Sequence, residues 1–213
     1  MRILKKGCNK MRALDTALWF LDKNPSLRSN YIDENIKLNK LLYFSSLMYY
    51  AVEGKDLLDE KFQRWDRGPV IPEVYREYRY CNLSSRAAGG INNISDKAKQ
   101  TFEIINFVYA GKSARELSDI THEHRQWLAL ERNEELDFSK SGTEELSLMR
   151  ELYNLYAAVD FDNLCTEKIN DVVYIYDKTN LEITDEIAEQ LADMNNTQDA
   201  VFLEDIDGEL VFS

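Results

Sequence analysis

The sequence predicts a mainly α-helical domain followed by a small acidic α+β extension. Three observations carry this. Apolar residues recur at helical spacing through most of residues 10–158. The charge balance breaks near Phe161: residues 161–213 hold 14 acidic and 2 basic side chains, whereas residues 1–160 hold 24 of each. The β-branched and aromatic runs that read as strands fall beyond that break. We therefore expect a compact multi-helix domain over 10–160, containing one short extended segment, and an extension over 161–213 of order β-α-β-β.

The elements follow in chain order. Leu14, Ala17, Leu18 and Leu21 share one face of a helix over 11–24, with Trp19 and Phe20 beside them, and Pro25 ends it. The strongest pattern lies over 32–53. Leu38, Leu41, Leu42, Ser45, Met48, Tyr49 and Val52 make one stripe, and Phe44, Leu47 and Ala51 make a second. Two stripes mean burial on most sides, so this helix belongs at the centre, with Gly54 as its cap. Residues 57–65 read as a short extended segment. Pro72 opens a helix to Tyr80, and 81–93, with two serines and two glycines, reads as a long mobile loop. Ser95 caps a helix to Tyr109. Ser113 with Glu116, and Ser141 with Glu144, have capping-box spacing for two more helices. In the extension, 172–176 is a strand, Thr184 caps a helix to Met194, and Asp207-Gly208 marks a hairpin between two apolar runs.

The stretch R-W-D-R-G-P-V-I-P-E-V-Y-R-E-Y-R, residues 64–79, concentrates two of the three prolines, four arginines and several aromatics. Gly68 opens unusual backbone angles, Pro69 fixes the next, and Pro72 suits a first helical turn. With Ile71 as N-cap, Val70 and Tyr75 have the spacing of a hydrophobic staple. That accounts for a rigid corner but not for Arg64, Arg67, Arg76 and Arg79. Two readings stand for these. Asp66, Glu73 and Glu77 neutralise them on a solvated face, or they form a partner-binding patch with Trp65 and Tyr75, residue types enriched at interface hot spots.

No apolar run approaches the length of a membrane span, and the basic start lacks a signal-peptide core, so we expect a cytoplasmic protein. Cys8, Cys81 and Cys165 lack metal or redox spacing and read as reduced thiols. His122 and His124, the only histidines, stand two apart, which is not zinc-protease spacing. Neither a nucleophile elbow nor a phosphate loop is present. We expect no catalytic, metal or cofactor site. The acidic extension would repel phosphates, which disfavours nucleic acid as a partner.

Three motifs occur in order: K-L-N-K-L-L-Y-F (37–44), W-D-R-G-P-V-I-P-E-V-Y (65–75), and L-S-D-I-T-H (117–122) followed by Trp127. Together they resemble the Panacea, or SocA-like antitoxin, domain over about residues 15–156. The resemblance singles out Lys37, Lys40, Tyr43, Phe44, Gly68, Pro69, Pro72, Thr121, His122 and Trp127 as motif positions. Gln126 departs from the pattern, which has proline before the tryptophan. What the resemblance implies is a mostly helical, non-enzymatic scaffold of bacterial or phage origin that neutralises a protein toxin by direct contact. An adaptor that delivers a host protein to a protease, and an acidic nucleic-acid mimic, remain as alternatives. Self-association stays open.

Overall fold

The computed structural model describes residues 10–89, 94–170, 172–194, 200–206 and 208–212. The chain is mainly α, and it forms two compact units, Met1–Ala157 and Ala158–Ser213.

In the first unit, helix α1 spans Ala13–Lys23 and α2 spans Ile32–Glu53, joined by a 3-10 turn at Pro25–Ser29. Strands β1 (Gln63–Trp65) and β2 (Gly68–Val70) pair antiparallel, with Asp66 and Arg67 as the two-residue loop between them. Then come α3 (Pro72–Tyr80), α4 (Asp96–Tyr109), α5 (Ala114–His122), the short α6 (Arg125–Ala129) and α7 (Thr143–Tyr156). Helix α2 is central, packed against α1, α3, α4, α5, α7 and β2. Its two apolar stripes put Leu38, Leu41, Leu42, Phe44, Leu47 and Met48 fully out of solvent. Gly54 ends it in the left-handed region, φ 65°, as its cap position demands. Aromatic rings fill the space around it. Phe44 stacks on Tyr109 with centroids 4.4 Å apart, and Tyr43 meets Phe62 edge-on at 5.6 Å.

Several local expectations change. The extended segment before Gly68 is half of a hairpin, so Gly68 and Pro69 lie in a strand. The stretch 133–136 runs beside β1, with Arg64 N donating to Glu134 O and Leu136 N to Phe62 O. The expected loop over 81–93 winds into a 3-10 turn at Leu83–Gly89, because Leu83 is apolar enough to be drawn fully into the core. Residues 90–93, including Gly90, lie outside the described residues. The expected Ser141–Glu144 capping box is shifted by one. Gly142 is the N-cap, and its N–H donates to the Glu145 carboxylate, because Ser141 is instead engaged by Gln126 Nε2. The Ser113–Glu116 box forms as spaced.

In the second unit, β3 (Leu164–Ile169), β4 (Val172–Asp177), helix α8 (Asp185–Asp193), β5 (Ala200–Ile206) and β6 (Glu209–Phe212) give a sheet ordered β3-β4-β5-β6. The β4–β5 pair is parallel, which requires a crossover; α8 lies within it. Val172, Tyr174, Leu181, Leu191, Val201 and Leu203 form the core. The β-α-β-β reading missed β3. Its centre is Thr166-Glu167-Lys168, exposed at an edge, so it lacks the apolar alternation that marks a half-buried strand. Asp207 of the expected turn, like Cys8, lies outside the described residues. Among the described residues, no helix is long and apolar enough to cross a membrane.

Candidate functional site: an interlocked hairpin frame

The β1–β2 hairpin is where the three motifs converge, and their side chains hold its backbone almost residue by residue. From α6, Trp127 Nε1 donates to Trp65 O at 3.0 Å. From α5, Ser118 Oγ donates to Arg67 O at 3.1 Å. From α2, Lys40 Nζ donates to Pro69 O at 3.1 Å, and Asn39 Oδ1 accepts from Ile71 N at 3.0 Å. Asn39 is itself fixed by Asn35, whose amide donates to Tyr75 O on α3. Trp65 O, Arg67 O, Pro69 O and Ile71 N thus each find a side-chain partner, as burial requires. Gly68 has φ +95°, and a Cβ at that position would run into Thr121 Oγ1 and the end of Lys40.

The frame has unusual electrostatics. Lys40 is buried with a backbone carbonyl as its partner, and desolvation lowers its pKa from 10.5 to about 7. His122 stacks on Trp127 at 3.9 Å; burial first, then Lys40, lowers its pKa and keeps it neutral. The Arg64 guanidinium lies 4.2 Å over the same Trp127 ring. The other histidine has a separate role. His124 Nδ1 is 2.8 Å from the Tyr43 hydroxyl. Burial raises the pKa of Tyr43 and lowers that of His124, so the hydroxyl donates and His124 is neutral with its proton on Nε2.

The six arginine-aromatic candidates separate. Arg64 is largely covered, stacked on Trp127 and 3.6 Å from Asp66. Trp65 and Tyr75 pack on each other at 5.2 Å. Arg79 donates to Asn30 O. Arg67 is exposed, 3.8 Å from Asp33, and Arg76 is exposed. The expected acidic neighbours partly pair elsewhere, Glu73 with Arg12 and Glu77 with Arg86. Among the motif positions, Lys37 lies half-buried near Glu34 and Glu116, and Pro72 starts α3.

Asn35, Asn39, Ser118 and Gln126 were missed as frame residues. The asparagines had a signal: amides four apart on a face otherwise bound for the core. Gln126 had one too, as the departure from the proline pattern. Its buried amide grips Asp137 through both backbone groups, accepting from Asp137 N at 2.7 Å and donating to Asp137 O at 2.6 Å. Gln126→Ala should leave both groups of Asp137 unsatisfied and cost about 2–3 kcal/mol, read by chemical denaturation. Gln126→Pro should match it, because a proline fits the start of α6 yet cannot grip Asp137.

Residues 38–128 match the family model described as antitoxin SocA-like, Panacea domain. The match runs from α2 through the hairpin to α6 and contains the motif positions except Lys37, so the resemblance carried by the motifs is shown over that stretch. No curated protein and no solved structure matches the chain.

Proposed function

We propose that the chain is a cytoplasmic antitoxin that neutralises a protein toxin by stoichiometric contact, without catalysis of its own. The observation that carries this reading is the match of residues 38–128 to an antitoxin domain family. The geometry supports it in one respect. Lys40, Asn39, Ser118 and Trp127 of the three motifs are engaged in bracing a backbone turn, as a scaffold for presenting outer surfaces would need. The acidic extension, with its excess of 12 negative charges over 161–213, is a second surface suited to a basic toxin.

The test is co-expression with the product of the adjacent open reading frame. The neighbour alone should arrest growth, and this chain should restore it. A neighbour that is harmless, or that stays toxic, overturns the reading. Inhibition of the purified toxin by the purified chain, with no protease present, separates neutralisation from adaptor-mediated delivery.

The exposed arginines give a further expectation. Arg67→Glu and Arg76→Glu should leave the melting temperature within about 2 °C, because surface charges contribute little to stability. If the corner touches the toxin, each should weaken binding by about tenfold. Arg64→Glu should instead lower the melting temperature, since it removes the cation stacked over Trp127.

A further inference from the structure

A groove of about 930 Å³ opens between α5–α6 and the start of α7, wholly within the first unit. Its apolar lining is Ile120, Leu128, Ala129 and Leu148. Leu128 is 66% exposed and Leu148 48%, which is costly surface for a free monomer. The apolar track continues along α7. Leu155, also 66% exposed, stands seven residues beyond Leu148 on the same face, with half-buried Leu152 between. Two turns of helix make that track about 10 Å long. The lining is also acidic: Glu123, Glu144 and Glu145 stand against one cation, Arg125. The start of α7 is not an anion site, because Glu145 already accepts from Gly142 N and Arg125 N. Beneath the groove, His124 is locked to Tyr43, so the floor is stiff.

We propose that this groove seats a basic amphipathic helix of the partner protein. Leucine-type side chains at helical spacing would rest on Leu128 and Leu148, and lysines or arginines would face Glu123 and Glu144. An apolar track about two helical turns long, bordered by three carboxylates against one guanidinium, matches that ligand in both shape and charge. That the partner is a toxin rests on the reading above; the groove does not.

Two experiments on the full chain keep the two ideas apart. The first uses a fluorescent Leu/Lys amphipathic peptide of about 18 residues, with its Leu/Glu counterpart as control, at about 0.3 M salt so that diffuse attraction is screened. The Leu/Lys peptide should bind, the Leu/Glu peptide should not, and Leu128→Asp/Leu148→Asp should weaken binding at least about tenfold. Both leucines are exposed, so the variant should fold; its melting curve checks this. Binding that survives the double variant is mere charge attraction and overturns the proposal, as does equal binding of the two peptides or no binding of either. If the wild type self-associates and the double variant is monomeric, the occupant is a second copy and the proposal falls. The second experiment is toxin rescue. Rescue by the wild type but not by the double variant supports both ideas. Rescue by both overturns the groove as the toxin site and leaves the antitoxin reading intact. No rescue by the wild type defeats the antitoxin reading, while the peptide still decides the groove.

Discussion

Gly68→Val should be the most damaging single substitution in the first unit, and even Gly68→Ala should cost about 3–5 kcal/mol. Two effects add. The backbone sits at φ +95°, where an L side chain is strained. A methyl group there would also meet Thr121 Oγ1, and Lys40 Cε at 2.5 Å. Neither neighbour yields freely. Thr121 is fully buried with its hydroxyl on Ser118 O, and Lys40 is fully buried with its amine on Pro69 O. Displacing Lys40 strands a buried nitrogen and a buried carbonyl together. Gly54→Ala is the control. Its φ is +65°, but a methyl group there meets nothing within 4 Å, so strain alone should cost about 1 kcal/mol. Denaturant midpoints of the two variants separate crowding from strain. Equal losses would mean that the close packing of α2, α5 and the hairpin is not what requires a glycine at 68.

The legibility of this fold in its sequence follows which physical signal each part carries. Helix α2 was legible because its signal is apolar period, and burial on several sides repeats that signal along the whole helix. The caps at Ser95 and Ser113 were legible because they depend on residues three apart, and both side chains accept as spaced. Strand β3 was not legible, because an exposed edge strand needs only backbone partners and leaves its side chains unconstrained. The arginines of the corner were legible as unusual but not in their roles. Whether Arg64 faces solvent depends on Trp127, 63 residues away, and no local pattern encodes that contact. Lys40 is the sharper case. The motif marks it as special, yet a lysine on an amphipathic helix ordinarily reads as surface. Only the approach of the Pro69 carbonyl makes its burial tolerable.

That burial should leave a signature in the pH dependence of folding. In the unfolded chain Lys40 titrates near 10.5, and in the folded chain near 7. Between these values the unfolded state holds a proton that the folded state lacks, so stability rises with pH across this window. Below pH 7 both states are charged and the full desolvation penalty is felt; above 10.5 both are neutral and it is gone. The whole span is worth at most about 5 kcal/mol, taking 1.36 kcal/mol per unit. The tyrosines limit how much of the rise is seen. Burial holds Tyr78 and Tyr109 at about 12, so their ionisation in the unfolded chain opposes folding above about pH 10. His122 and His124, with lowered pKa values, add a separate rise that is complete near 6.5. Stability should therefore climb from pH 7 to about pH 9.5 and then turn over, where an ordinary domain is flat or falling. Lys40→Met keeps the length and apolar bulk of the side chain without the amine. It should remove the climb above pH 7 and shrink the His122 share of the lower limb, since Lys40 helps to lower that pKa, while leaving the alkaline turnover in place. Urea titrations of both proteins at intervals between pH 6 and pH 10 would read this directly. A wild-type curve that is flat above pH 7, or a Met variant that climbs as steeply, would mean that Lys40 reaches water. The frame around Gly68 would then be open rather than closed.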